Sequence, residues 1–188
     1  ADDLGYGDVG FNGNEIIRTP ELDEMAAQGL VFDRFYAAAP ICSPTRGSCL
    51  TGRHPFRYGV LAAHSGGMRA GEITIAEVLK ENGYKTGIFG KWHLGYVRPD
   101  AEQEDRGYYS PPWHHGFDVS FVTKSAVPTW NPSVTPPGWN AWNNFEGEMW
   151  SSSMYVINGE LVTENLKGDD SRVIMDRVIP FIEEAATQ

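Results

Sequence analysis

Cysteine is nearly absent from this chain. Only Cys42 and Cys49 occur in 188 residues, and seven residues apart on one helix their Cα atoms would lie about 10 Å apart, beyond disulfide reach. A disulfide framework is thereby excluded, and cysteine usage leaves the redox compartment open. No apolar run is long enough to span a bilayer, so no membrane span is expected. Positive charge is also short: 15 Lys and Arg face 25 Asp and Glu, a formal net charge of -10. That balance argues against a nucleic-acid-binding domain, which would carry a basic face. It leaves an anionic ligand open, because a few local cations decide that. Internal repeats, low-complexity tracts and a clear second-domain linker are lacking too. So are a signal peptide and an initiator Met, since the chain opens at Ala1-Asp2-Asp3; the expectation is a leader removed or left out.

What is present has the length of one domain and ordinary apolar and charged fractions. Thr19-Pro20 opens a helix through Glu21, Leu22, Asp23, Met25 and Ala26 to Gly29. Thr19 is placed to cap, Pro20 suits the first turn, and Leu22, Met25 and Ala26 form an apolar stripe. Leu30 to Tyr36 reads as a strand. Pro44 fits the first turn of a helix from about Ser43 to Leu50 that Gly52 closes. Thr74-Ile75-Ala76-Glu77 is a capping box opening a helix toward Gly83, and Tyr84 to Gly90 reads as a core strand. Met154 to Thr163 is a hairpin turning on Asn158-Gly159. Asp170 or Ser171 caps a last helix with Val173, Ile174, Val178, Phe181 and Ile182 inward, and Pro180 should kink or bound it. Strands alternating with helices predict an α/β fold with a mostly parallel central sheet flanked by helices.

Three stretches carry chemistry. Cys42-Ser43-Pro44-Thr45-Arg46 puts a thiol at or just before a helix N-terminus, where unpaired N–H groups and the dipole favour negative charge. Arg46, four residues on, stacks on the same helix face, and its guanidinium suits an anionic substrate. A buried structural cysteine beside a surface arginine is the plainer alternative; the spacing through Thr51-Gly52-Arg53 speaks for a site. In Gly90-Lys91-Trp92-His93-Leu94-Gly95, an extended backbone would set Lys91 and His93 on one face and Trp92 on the other. That pairs an ammonium with an imidazole at a strand end, where open α/β sheets hold ligands. Asp2-Asp3-Leu4-Gly5-Tyr6-Gly7-Asp8 is either a frayed acidic terminus or a metal site at the end of a strand. Both carboxylates reach one cation only if the strand stops there, which Gly5 and Gly7 allow.

From Tyr96 to Trp150 regularity falls away. Prolines recur, and Trp113, Trp130, Trp139, Trp142 and Trp150 hold five of the six tryptophans. Such a stretch is usually functional or disordered, and the aromatic content opposes disorder. The tryptophans either form a platform for sugar rings or pack loops together. His114 and His115 are neighbours, which rarely chelate one ion. The chain therefore reads as core motifs over 1–95, an aromatic and proline-rich loop region over 96–150, and a hairpin and helix over 151–188.

Four of these stretches together resemble the type I sulfatases: Asp2 to Asp8, Thr19-Pro20 with Leu22-Asp23, Cys42 to Arg53, and Gly90 to Gly95. They lie in family order over the first half of the chain. The resemblance implies the N-terminal part of an alkaline-phosphatase-like catalytic domain that hydrolyses a carbohydrate or aryl sulfate ester. In that family Asp2, Asp3 and the modified Cys42 would bind a divalent cation, calcium rather than magnesium, as hard carboxylate oxygens suit. Cys42 would be converted to formylglycine by a formylglycine-generating enzyme, and its hydrate would supply the nucleophilic hydroxyl. Arg46 would steady the hydrate, Lys91 would clamp a sulfate oxygen and His93 would hydrogen-bond the diol. The implied partner is a sulfated small molecule or glycan, and the implied setting periplasmic, secreted or lysosomal.

Two other readings compete. One is a phosphodiesterase or phosphonate monoester hydrolase of the same superfamily, and the other a non-catalytic glycan-binding relative. The intact set Asp2, Asp3, Cys42, Arg46, Lys91 and His93 speaks against the second. The family also supplies a strand before Ala1, and further metal ligands, a second Lys and often a second His beyond Gln188. The 188-residue piece is accordingly expected to bind metal poorly and to lack appreciable turnover by itself.

Overall fold

A computed structural model describes residues 4–63, 66–97, 109–134, 136 and 154–187. Five helices occur among them: α1 (Pro20–Gln28), α2 (Cys42–Thr51), α3 (Pro55–Tyr58), α4 (Ile75–Glu81) and α5 (Asp170–Ala185). Four strands, β1 (Gly87–Lys91), β2 (Val119–Thr123), β3 (Tyr155–Ile157) and β4 (Glu160–Leu161), form one sheet in the order β1-β2-β3-β4. β1 and β2 are parallel, with Gly87 opposite Val119 and Lys91 opposite Thr123. β2 to β3 and β3 to β4 are antiparallel. The α/β architecture expected from sequence is present, with a mixed sheet among the described residues.

The sheet buries both faces because its strands alternate. On one side Val122 and Val156 pack with Met68, Trp92, Leu94 and Val97. On the other, Phe121 and Tyr155 meet Leu166, Val127 and Val173 of α5. The Phe121 and Tyr155 rings stack with centroids 4.3 Å apart, and the Tyr155 hydroxyl donates to Asp170 at 2.6 Å. Phe181 of α5 crosses β1 so closely that a Cβ on Gly87 would lie 2.8 Å from its ring.

Local signals explain most boundaries. Glu77 N–H donates to Thr74 Oγ1 at 3.3 Å and Thr74 N–H donates back to Glu77 Oε2 at 2.7 Å, so the capping box of α4 is real. Asn158 and Gly159 take φ of 48° and 92°, the paired left-handed turn that joins β3 to β4. Asp118, just before β2, ties the start of the parallel pair. Its carboxylate accepts from Thr86 N–H at 3.0 Å and pairs with Lys80 Nζ at 2.7 Å. Burial pushes its carboxyl up, but the Lys80 ammonium and the Thr86 donors outweigh that and hold it at about 2.

Several expectations are corrected. Leu30–Tyr36 forms no strand; its apolar side chains are exposed, Phe35 at 84%, and no described strand lies alongside to pair with it. Leu22 and Met25, the expected inner stripe of α1, are exposed as well. Thr19 makes no capping bond. Its hydroxyl instead accepts from Gly10 N–H at 2.8 Å and donates to Asp23 at 2.9 Å, binding α1 to the chain's first turns. The last helix is capped by Asp169, which accepts from Ser171 N–H and Arg172 N–H, one residue earlier than expected. It runs through Pro180 to Ala185, and Ile182 is exposed. The region after Tyr96 contains β2, a regular strand that composition hid. Trp139, Trp142 and Trp150 lie outside the described residues.

Candidate active site

α2 begins at Cys42 itself, after an extended Ile41 with φ -151°. Cys42 is half-buried and stands on the first helical turn, with Pro44 two residues on where its missing N–H costs nothing. Gly52, at φ 65°, closes the helix in the left-handed region. Cys42 and Cys49 are both free thiols.

A fixed close approach holds this helix. Tyr58 of α3 is 1% exposed and its hydroxyl donates to the Pro44 carbonyl inside the first turn of α2. A Cβ on Gly47 would lie 2.7 Å from the Tyr58 ring. Gly47 therefore sits mid-helix, where glycine costs stability relative to alanine, because the tyrosine occupies the space a side chain would need. At the far end, Arg53 pairs with the buried carboxylate of Glu72.

The second component is the C-terminal end of β1. Arg46 Nη1 donates to the Lys91 carbonyl at 2.7 Å across 45 residues of sequence. This bond ties the cysteine helix to the Lys91 strand end. Beyond Lys91 the chain leaves the strand: Trp92 N–H donates to Thr123 O at 2.8 Å and His93 N–H to Lys124 O at 2.9 Å. His93 is 6% exposed and takes φ 54°, a left-handed conformation uncommon for a side-chain-bearing residue. The extended geometry assumed from sequence is thus corrected. β1 stops at Lys91, and His93 is aimed by a turn rather than by strand alternation. Such strain persists only where the surroundings over-determine it, and it clusters at functional sites.

Those surroundings are Trp92 and Leu94, 1% and 0% exposed on either side of His93. The Trp92 indole N–H donates to Ser110 O at 2.7 Å, and Ser110 Oγ donates to Met68 O at 2.6 Å. Ser110 has one hydroxyl proton, so its 2.7 Å contact with His115 Nε2 is donated by the imidazole. Burial lowers the His115 pKa, which keeps that ring neutral. His115 is fully buried behind Trp92; it braces the turn bearing His93. The sequence offered no sign of this beyond a tryptophan set between Lys91 and His93.

Asp2 and Asp3 lie outside the described residues. Among the described residues no group of three or more His, Cys, Asp or Glu side chains gathers to hold a metal ion. Arg46 of the cysteine helix thus bonds the backbone at the C-terminal end of β1, and His93 follows two residues beyond Lys91, at the edge where open α/β sheets take ligands.

Comparison with known proteins identifies the family. The family model described as Sulfatase matches residues 1–188. Arylsulfatase D of Homo sapiens is 43% identical over 171 residues, covering 86% of this chain and 28% of that protein. Arylsulfatase A of Bos taurus is 51% identical over 122 residues, covering 62% of this chain and 22% of that protein. The chain thus spans about a quarter of these relatives' length. The crystal structure of Ps i-CgsB in complex with k-i-k-neocarrahexaose superposes with a TM-score of 0.78 at 28% identity, covering 100% of this chain and 40% of that one. With the family model matched over residues 1–188 and a relative 43% identical over 86% of the chain, this protein belongs to the sulfatase family.

Proposed function

We propose that the chain supplies the nucleophile-bearing part of an enzyme that hydrolyses sulfate esters, ROSO₃⁻ and water giving ROH and hydrogen sulfate. The observation that carries this reading is the Arg46 to Lys91 bond of 2.7 Å. It supports the reading by tying the helix that carries Cys42 to the strand end that carries Lys91. Cys42, converted to formylglycine, would supply a hydrated aldehyde whose hydroxyl is the nucleophile. Asp2 and Asp3 would hold a divalent cation, which their hard oxygens suit, and the family resemblance points to calcium.

The remaining work falls to this chain's own groups. The Lys91 ammonium takes a non-bridging sulfate oxygen and, as a fixed positive charge, holds and orients the anionic group for attack. Arg46 spends one N–H on the Lys91 carbonyl, which fixes its guanidinium plane beside the first turn of α2. His93, braced by Trp92, presents an imidazole whose direction the left-handed turn sets rather than a flexible stem. The positive end of α2 adds a stabilising field for an anion at Cys42. A sulfated saccharide is the favoured substrate class, supported by the fold shared with a protein bound to a carrageenan oligosaccharide.

The test is kcat/KM of the full-length protein on an aryl sulfate and on the matching aryl phosphodiester. The sulfate is expected to win by at least tenfold. Faster turnover of the phosphodiester would replace this reading with a phosphoesterase of the same superfamily. Tight glycan binding without turnover of either ester would replace it with a binding protein.

A further inference from the structure

β2 ends beside β1, and its first residue beyond the register is a lysine. Lys91 pairs with Thr123, Lys124 follows at the bend that ends β2, and the Lys124 carbonyl accepts the His93 N–H at 2.9 Å. Lys124 is therefore joined by backbone to the turn that aims His93. Its ammonium is held 3.6 Å from the centroid of the Tyr96 ring, three residues past His93. Tyr96 is itself fixed by a parallel bridge to Tyr109. Both Lys124 and Tyr96 are half-buried, which strengthens a cation held over an aromatic face.

The consequence is a second cation at the ligand-bearing edge of the sheet, contributed by a different strand from Lys91. Lys124 lies one residue beyond Thr123, the register partner of Lys91, and its ammonium lies over the Tyr96 ring. Two lysines at adjacent strand ends suit two anionic groups on one ligand. We propose that Lys124, steadied by Tyr96, is a substrate-positioning residue that receives a second negatively charged substituent of the substrate, a further sulfate or a carboxylate. The inference rests on the sulfate-ester reading of the site. It makes the enzyme selective for polyanionic substrates over singly sulfated ones.

Binding is measured by calorimetry on the full-length protein carrying Cys42→Ala, using a hexose with one sulfate and the same hexose with two. The unaltered Lys124 background is expected to prefer the disulfated sugar by about tenfold, one charge-assisted contact's worth. Lys124→Gln should collapse that preference to near unity, and Lys124→Arg should restore most of it. Lys124→Met, which keeps an alkyl stem on Tyr96, should behave as the Gln variant does. Equal loss on both sugars, or no loss on either, overturns the proposal and leaves the lysine a packing element. A collapsed preference, together with no hydrolysis of either sugar by the full-length protein with Cys42 intact, supports the anion subsite and refutes the sulfate-ester reading instead.

Discussion

Gly47→Ala is the substitution on which sequence and structure disagree most sharply. By helix propensity, alanine inside α2 should stabilise by about 1 kcal/mol. The structure reverses the sign. The new Cβ would meet Tyr58 Cε2 at 2.7 Å and Cζ at 2.8 Å, against a comfortable carbon–carbon separation of about 3.5–4.0 Å. One of the two helices must move by roughly 1 Å, and overpacking of this kind costs about 1–3 kcal/mol. Displacing the ring also strains the Tyr58 hydroxyl's bond to the Pro44 carbonyl, worth about 1 kcal/mol. The balance is a net loss of about 2 kcal/mol. Denaturant unfolding of the full-length protein measures it, with Tyr58→Leu as the second arm of a double-mutant cycle. In the Leu background the overlap is gone, and Gly47→Ala should become neutral or stabilising. The reasoning is refuted if Gly47→Ala in the Tyr58 protein is as stable as the parent. Because Pro44 lies between Cys42 and Arg46, the same variant should lower turnover as the first turn shifts.

Arg46→Lys keeps the charge but loses the planar donor that bonds the Lys91 carbonyl; kcat/KM should fall at least tenfold, and a near-native value would separate the bond from function. Acid unfolding should proceed in two windows. His115 has a lowered pKa and is neutral when folded, so its contribution is complete above the unfolded value near 6.5 and is lost as pH falls below it. Asp118 is depressed to about 2, so its contribution is complete above the unfolded value near 4 and is lost as pH falls through 2. His115→Gln should flatten the stability profile in the first window and Asp118→Asn in the second, with solvent screening of the Lys80 pair holding the Asp118 effect to about 1 kcal/mol at neutral pH. Unchanged slopes would remove these groups from the acid response.

The helix and strand that carry the candidate residues were legible because their signals are local. The helix opening at Cys42, the arginine one turn on and the strand running into Lys91 each depend on a few neighbouring residues, and the structure brings them together. His93 was found as a residue but misjudged in conformation, since only burial of Trp92 and Leu94 forces its left-handed turn. Lys124, Ser110 and His115 were missed because their roles arise from β2 lying parallel to β1 and from packing against Trp92. No spacing in the sequence encodes either. Leu30–Tyr36 failed for the opposite reason: strand propensity was there, but a strand needs a partner to bond. The lone glycine in α2 carried a packing constraint that reads in sequence as a defect.

The central claim is that Cys42 is the precursor of the catalytic group, held by Arg46 at the edge bearing Lys91 and His93. Mass spectrometry of the peptide containing Cys42, from active full-length protein made in its native host, tests it most directly. The account predicts the mass loss of thiol-to-aldehyde conversion at Cys42, with Cys49 unchanged. A wholly unmodified Cys42 thiol in enzyme that hydrolyses sulfate esters would contradict it.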